Sequence, residues 1–150
     1  MVKKTIDMKQ FFLLFAFCFT LATQAQQNEV ENTIKDFFIG FHAKDTTKIK
    51  SVCHDRMALQ SIIEGKAGIK LVDEKASEFI KSFASFPKEL KFEERILGYS
   101  VQVDGAMAHA WTPYEFYVNG KLSHKGVNAF TLFKENNQWK IIHLIDTRRK

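Results

Sequence analysis

The segment YSVQVDGAMAHAWTPYEFYVNGKLSHKGVNAFTLFKENNQWKIIHLIDT, residues 99–147, decides the fold of this chain. It contains three long strand-like runs, each preceded by a pair of turn residues: Asp104-Gly105, Asn119-Gly120 and Asn136-Asn137. Asn and Gly are preferred in two-residue hairpin turns because both central positions need a positive φ. The pattern therefore predicts an antiparallel meander, which a further strand enters at Leu90.

Amphipathic patterns in the region before this meander predict three helices. The first begins near Asn28, the second has Asp45 as its N-cap, and the third follows a cap at Asp73. Between the second and third helices, residues 57–63 predict a short strand, and the stretch 64–72, with two glycines, predicts a loop. Helices followed by a meander of strands are typical of an α+β fold.

The predicted strands are unusually long, and a proline lies inside one of them. Strands of roughly 13 residues would span about 40 Å if they were flat, which exceeds what most sheets sustain without bending. Pro113 lies in a strand that should be central, where it cannot donate a hydrogen bond. We therefore expect a bulge at Pro113 and a strongly curved sheet that forms a cone with the three helices.

Two-residue turns also predict which residues lie side by side on the sheet. They place Thr112 opposite Val127, Tyr114 opposite Lys125, and Asp146 beside Val127. The face that carries these residues is mostly small and apolar, so it should pack under the helices. Five polar residues would interrupt it and form a ligand-binding cluster: Tyr99, Thr112, Tyr114, Asp146 and Arg95. An equally simple explanation is that Asp146 pairs with an arginine at the rim, the candidates being Arg95, Arg148 and Arg149.

The opposite face of the predicted sheet is rich in aromatic residues and histidine. It would contain His109, Trp111, His124, Asn128, Phe130 and His143, together with Glu94 and Glu115. An exposed aromatic surface on a sheet already covered on its other side is typical of a protein interface, so we predict a homodimer through this outer face. Two histidines on either side of a phenylalanine lack the spacing and the third ligand of a zinc site, and no metal site is predicted.

Residues 1–25 have the composition of a secretory signal peptide. Three lysines precede an apolar run at residues 11–22, and Ala25 offers a cleavage site. The run is shorter than the roughly 20 apolar residues of a membrane span. The bulky residue before Cys18 disfavours lipid attachment. We therefore expect residues 26–150 to form a single domain that is secreted or periplasmic and has no stable membrane anchor.

Charge, cysteine content and motifs exclude several classes of function. The formal net charge is +5, but the lysines are scattered rather than interleaved with aromatic residues, so nucleic-acid binding is not predicted. Cleavage would leave Cys53 as the only cysteine, which excludes an internal disulfide and favours a buried, inert thiol. The sequence has no phosphate loop, dinucleotide fingerprint, nucleophile elbow or zinc-binding helix, and no cofactor is predicted.

The layout of helices followed by a curved meander resembles the nuclear transport factor 2-like (NTF2-like) superfamily. Residues 120–150 are more narrowly similar to its putative lumazine-binding branch, through the pattern His124, Gly126, Asn128, Ala129, Phe130, Trp139, Lys140, Ile141 and Asp146-Thr147-Arg148-Arg149. The resemblance implies an NTF2-like cone, with three N-terminal helices packed on a strongly curved antiparallel sheet. It also implies a tendency to dimerise through the outer face of the sheet.

The resemblance leaves the reaction open, because the superfamily includes steroid isomerases and polyketide cyclases as well as members that only bind. Our prediction is a domain that binds a small, aromatic or apolar molecule in its cone. One alternative is an isomerase-like or cyclase-like enzyme with Asp146 as the base and Tyr99 or Tyr114 as the hydrogen-bond donor. The other alternative is a non-catalytic structural dimer whose cavity is filled by its own phenylalanine side chains.

Overall fold

The computed structural model describes residues 8–87 and 89–150. Three helices lie against one seven-stranded sheet in this part of the chain, which confirms the α+β class. The helices are α1 (Met8–Ala43), α2 (Thr46–Val52) and α3 (Ala76–Ser85). The strands are β1 (Cys53–Gly65), β2 (Gly68–Lys75), β3 (Phe92–Ile96), β4 (Ser100–Asp104), β5 (Met107–Val118), β6 (Lys121–Glu135) and β7 (Gln138–Arg149).

The sheet has the strand order β2-β1-β7-β6-β5-β3, and β4 also pairs with β5. All pairs are antiparallel except β1 with β7, which is parallel and was not predicted, since no turn signals a pairing between strands so far apart in sequence. The prediction of a loop at residues 64–72 was wrong. Gly65 and Gly68 instead flank the turn of a β1–β2 hairpin.

The helix boundaries agree with the sequence in one case and differ in two. Asp45 caps α2 as predicted, because its carboxylate accepts hydrogen bonds from the amides of Thr47 and Lys48 at 3.0 Å. Asp73 lies within β2, and α3 begins without a side-chain cap. Helix α1 passes through Asn28 without a break.

The predicted signal peptide cannot be compared with the structure over its whole length. Residues 1–7 lie outside the described residues, and the remainder belongs to α1, so cleavage after Ala25 stays a prediction. Among the described residues, no helix combines the length and apolar character needed to cross a membrane.

The core lies between α1 and the inner face of the sheet. Val30, Ile34 and Phe37 of α1 are almost completely buried, and the ring centroid of Phe37 lies 6.1 Å from that of Phe130 on β6. Burial of each such side chain stabilises the fold by about 1.5–3 kcal/mol. This packing fixes which face of the sheet is internal, and it places Phe130 inside rather than on the predicted outer interface.

The turns at Asn119-Gly120 and Asn136-Asn137 are confirmed, and all four residues have a positive φ. The register beyond the first turn differs from the prediction by one residue, because a shift between Phe116 and Tyr117 separates the turn from the rest of the β5–β6 pair. Beyond it, Thr112 pairs with Asn128 and not with Val127. A shift of one residue exchanges the two faces of β6, so Asn128 lies inside.

A second register error concerns β3 and β4. The chain breaks its pairing with β5 at residues 97–99, and this irregularity faces Pro113, whose carbonyl accepts from the amide of Leu97 at 2.8 Å. A bulge is therefore present opposite Pro113 as predicted, but its extra residue lies in the segment 97–99 and not in β5. Arg95 pairs with Glu115 and not with Tyr114, so Arg95 points outward and Glu94 points inward.

Candidate functional site

A cavity of about 250 Å³ lies between the inner face of the sheet, α1 and α3. Its apolar wall consists mainly of phenylalanine rings, including Phe38, Phe41, Phe79, Phe83, Phe92 and Phe116. Polar and charged side chains gather on the sheet side of the cavity: Glu74, Glu94, His124, Asn128, Asp146 and Arg148. The structure thus forms an aromatic pocket with a polar floor, which is the usual composition of a small-molecule site.

Asp146 is the centre of the polar floor and is only 7% exposed. Its carboxylate accepts hydrogen bonds from Ser61 Oγ, from Tyr114 Oη at 3.0 Å, and from Arg148 Nε at 2.8 Å. A second hydrogen bond, from Arg148 Nη2 at 3.4 Å, makes the interaction of Arg148 with Asp146 bidentate. The alternative explanation of Asp146 as the partner of an arginine is therefore realised, with Arg148 as that arginine.

Tyr114 is almost completely buried beside this carboxylate. Its hydroxyl lies 3.0 Å from Asp146 Oδ2 and 2.9 Å from the carbonyl oxygen of Thr147, so its single proton is donated to one of these acceptors at a time. Burial, followed by the charge of Asp146, raises the pKa of the phenol. A tyrosine held in this way is a neutral hydrogen-bonding group throughout the physiological pH range.

Gly126 makes this position of Tyr114 possible. A Cβ atom at residue 126 would lie 2.8 Å from Tyr114 Cε1 and 1.7 Å from the carbonyl oxygen of Thr147. Both distances are shorter than non-bonded atoms tolerate. The close approach of the ring and of β7 to the β6 backbone therefore requires glycine.

Glu94 is the functional candidate that the sequence analysis missed, because the predicted register placed it on the outer face. It lines the cavity, and Asn128 Nδ2 donates to its Oε1 at 2.6 Å. Burial raises the pKa of the Glu94 carboxyl to about 7, and the hydrogen bond from Asn128 offsets part of this effect. The alternation of Phe92, Glu94 and Ile96, two apolar residues with a glutamate between them on one face, was the signal that could have identified it.

The end of α1 holds the backbone of Glu94 in place. The Glu94 amide donates to His42 Nε2 at 2.9 Å, and burial lowers the pKa of this imidazole. An unprotonated ring nitrogen is needed to accept the bond, and the lowered pKa favours that form.

His124 contributes an imidazole to the cavity, whereas the prediction had placed it in an outer interface. Its ring stacks on Phe116 with centroids 4.9 Å apart and meets Tyr114 edge-on at 5.8 Å. Burial, followed by the positive charge of Arg148, lowers the pKa of His124. The ring is therefore held in its neutral, stacking form.

The five residues of the predicted ligand cluster occupy different environments. Tyr114 and Asp146 line the cavity, and Thr112 is completely buried in the row beside Asn128, where its Oγ1 has no hydrogen-bond partner among the described residues. Tyr99 is partly buried away from this cavity, with Lys35 Nζ 5.3 Å from its ring centroid.

Arg95 was placed wrongly and is exposed on the outer face of β3. Its guanidinium bonds to Glu93 at 2.9 Å and covers the ring of Tyr117 at 4.1 Å. The cause is the register of β3 on β5, in which residue 95 faces residue 115. Arg95 therefore does not reach the cavity.

The six residues of the predicted interface divide into two groups of three. His109, Trp111 and His143 lie on the outer face, where Trp111 is 49% exposed and His109 and His143 flank Thr131. The placement of His124, Asn128 and Phe130 on that face was wrong because the one-residue shift turns all three inward.

Two further observations, one of them outside the cavity, bear on possible chemistry. Burial raises the pKa of the Cys53 thiol to about 12, so this group stays protonated and unreactive at neutral pH. Among the residues described, no group of three His, Cys, Asp or Glu side chains is arranged to hold a metal ion. The chemically distinctive group of the cavity is therefore the Glu94 carboxyl.

Comparison with known proteins identifies the family. The family model described as "Putative lumazine-binding" matches residues 25–144, which is most of the chain. The chain belongs to this family. No curated protein matches this chain significantly in sequence.

Solved structures show that this family member has the NTF2-like fold, as predicted. An NTF2-like protein from Cytophaga hutchinsonii has 14% identity and a TM-score of 0.66, with 83% of this chain and 98% of that chain covered. A putative scytalone dehydratase from Novosphingobium aromaticivorans has 9% identity and a TM-score of 0.69, with 87% and 89% covered. The beta subunit of a putative aromatic-ring-hydroxylating dioxygenase from the same organism has 10% identity and a TM-score of 0.68, with 86% and 92% covered. At these identities the likeness establishes the fold alone.

Proposed function

We propose that this protein binds a small aromatic or apolar molecule in the cavity between α1, α3 and the sheet. The observation that carries the proposal is the combination of a phenylalanine wall with a polar floor in one cavity of about 250 Å³. This volume lies just below the roughly 300–1,000 Å³ of typical small-molecule sites, so the ligand is about the size of two fused rings. The description of the family as lumazine-binding agrees with a ligand of this size and shape.

The proposal is tested by measuring thermal shifts of the purified protein with lumazine, flavin and steroid-like compounds. A matched pair of substitutions on α3 connects any shift to the cavity. Ser82 lines the cavity, whereas Ser85 lies one turn further along the helix and is exposed. Ser82→Trp should fill the cavity and abolish binding, and Ser85→Trp should leave it unchanged. A flat response of the unmodified protein to all three compound classes, or equal binding by the two variants, would contradict the proposal.

A second candidate function is an enzyme that transfers protons within the cavity. Asp146 is a poor base for such a reaction because Ser61, Tyr114 and Arg148 already donate to its carboxylate. Glu94 is better suited, since its pKa of about 7 lies close to the pH at which a general acid or base is most effective.

The enzyme candidate is tested with an unconjugated cyclic enone, whose isomerisation to the conjugated form is followed by ultraviolet absorbance. Glu94→Gln should abolish turnover, and Asp146→Asn should retain it if the variant folds. If the unmodified protein binds the enone but does not isomerise it, the enzyme candidate is rejected and the binding function stands.

We also propose that two copies of the chain associate through the outer face of the sheet. The support is a group of large apolar side chains on that face, Met107, Trp111 and Phe133, which are 55%, 49% and 39% exposed. Exposed apolar surface of this kind favours association. Native mass spectrometry should find a dimer that Trp111→Glu converts to a monomer. A monomeric unmodified protein at micromolar concentration would contradict this part of the proposal.

The remaining part of the proposal is export with cleavage after Ala25, to a secreted or periplasmic location. It is supported by the contacts of the following residues, since Gln27 Nε2 donates to the carbonyl of Val101 at 3.1 Å and Val30 is fully buried. A mature chain that begins at Gln26 keeps both contacts. Amino-terminal sequencing of the protein from an exporting host should return Gln26, and an intact leader would refute cleavage.

A further inference from the structure

We propose that the cavity selects ligands that direct an N–H donor or a positive charge at Glu94, and that it discriminates against anions. The ligand class is a planar nitrogen heterocycle or an aryl amine or amidine, with its ring against the phenylalanine wall. This inference rests on the proposed binding function and specifies the chemistry of the ligand.

The first argument is the incomplete hydrogen bonding of the Glu94 carboxyl. Asn128 donates to its Oε1 at 2.6 Å, and no other side chain of the described residues donates to either oxygen. A carboxylate accepts up to about four hydrogen bonds, and a largely buried one is destabilised when they are not made. A donor on the ligand would supply the bonds that the protein leaves open.

The second argument is that Arg148, the cation that lines the cavity among the described residues, is already bonded to Asp146. Arg148 bonds to both oxygens of Asp146, at 2.8 and 3.4 Å. The neighbouring imidazole of His124 is held neutral, since burial and Arg148 lower its pKa. Among the described residues, neither Glu94 nor Glu74 forms an ion pair with a cation, so the carboxylate forms of both favour a cation in the cavity over an anion.

The third argument is the position of the aromatic rings around Glu94. Glu94 pairs across the sheet with Phe116, and the rings of Phe92 and Phe116 are nearly parallel, with centroids 6.3 Å apart and an interplanar angle of 19°. Aromatic faces carry a partial negative charge, so they add to the preference for cationic or N–H-bearing rings. The shape of the cavity favours a flat ligand, and the charge of Glu94 favours a ligand with an N–H donor at one end.

The test uses three bicyclic probes that differ only in the group attached to the ring: 2-naphthamidine, 2-acetylnaphthalene and 2-naphthoate. The amidine is cationic and presents two N–H donors, the ketone is neutral without a donor, and the carboxylate is an anion. Isothermal titration calorimetry at neutral pH should show that the amidine binds at least about tenfold more tightly than the ketone, with the anion weakest.

Substitution connects this selectivity to one residue. Glu94→Gln keeps the shape and the bond from Asn128, and it should remove the advantage of the amidine over the ketone. Circular dichroism and urea denaturation of the variant report separately that it is folded. The control is Glu93→Gln, because Glu93 is exposed on the opposite face and paired with Arg95, and this variant should behave like the unmodified protein.

Each outcome distinguishes the inference from the function on which it rests. Equal binding of amidine and ketone, tightest binding of the naphthoate, or an amidine preference that survives Glu94→Gln would overturn the selectivity and leave ligand binding standing. Failure of all three probes to bind the unmodified protein would count against the binding function itself, and the selectivity would be rejected with it.

Discussion

Replacement of Glu94 by Gln should change how the stability of the protein depends on pH. In the folded state, burial raises the pKa of this carboxyl from the ordinary value of 4.5 to about 7. The folded protein therefore holds the proton more strongly than the unfolded chain does. The resulting stabilisation is fully present below about pH 4.5 and is lost as the pH rises through about 7.

The size of the effect follows from the difference between the two pKa values. A shift of one unit corresponds to about 1.4 kcal/mol, and titration between about pH 5 and pH 8 covers most of the interval. The unmodified protein should therefore lose about 2–3 kcal/mol relative to Glu94→Gln over this range. The variant has no proton to lose at residue 94, and all other titrating groups are common to both proteins.

The measurement is urea denaturation of both proteins at about one-unit steps of pH and constant ionic strength. Glu93→Gln is again the control. The bond from Arg95 lowers the pKa of Glu93, so any contribution from that exposed residue falls at more acidic pH and has the opposite sign. A free-energy difference between the unmodified protein and Glu94→Gln that stays constant from about pH 5 to pH 8 would refute the assignment of Glu94 as a buried carboxyl.

Three further substitutions test the packing around the polar floor, each by urea denaturation. Gly126→Ala should destabilise the protein by about 3 kcal/mol or more, since the new Cβ would lie 1.7 Å from the Thr147 carbonyl oxygen, whereas Gly98→Ala, with no atom within 4 Å, should cost less than about 1 kcal/mol; equal effects would contradict the close approach. Tyr114→Phe should cost about 1–2 kcal/mol because it removes the hydroxyl that bonds to β7, and an unchanged stability would argue against those bonds. Thr112→Val should be neutral or stabilise by about 1 kcal/mol, because the buried Oγ1 has no partner among the described residues, and a clear loss of stability would show that the hydroxyl is satisfied.

The sequence predicted the parts of the fold that depend on local chemistry. The Asn-Gly and Asn-Asn turns, the Asp45 cap and the phenylalanine face of α1 each depend on residues close together in sequence, and the structure confirms them. The family resemblance in the last third of the chain then supplied the NTF2-like fold. The parallel pairing of β1 with β7 joins strands far apart in sequence, and no local signal indicates it.

The candidate site was predicted less well, because the face on which a residue lies depends on register shifts that cannot be recognised from residue types. The register shift between Phe116 and Tyr117 occurs without glycine or proline. Pro113, where the irregularity was predicted, faces residues 97–99, which lie between β3 and β4. The one-residue shift places Asn128 on the inner face, contrary to the prediction. A separate error in the predicted register of β3 placed Glu94 on the outer face, whereas it lies on the inner face. Asp146 was nevertheless placed inside, because a second one-residue shift, between Thr131 and Leu132 in the β6–β7 pair, cancels the first for β7. Tyr114 was placed inside because it shares its face of β5 with the buried Ala108 and Ala110.

The two interior carboxyls have been given different roles by their surroundings. Asp146 receives hydrogen bonds from three side chains, so it acts as a structural acceptor that joins β1, β5 and β7. Glu94 receives one, from Asn128, which lies directly opposite Asp146 on the neighbouring strand. Asn128 thus lies beside Asp146, whose hydrogen bonds are made, and donates to Glu94, whose hydrogen bonds are incomplete. A buried carboxyl whose pKa is raised to about 7, as that of Glu94 is, is typical of functional sites. Because the inward position of Asn128 follows from the one-residue shift near Phe116, that irregularity in the sheet supplies the side-chain hydrogen bond that Glu94 accepts from Asn128.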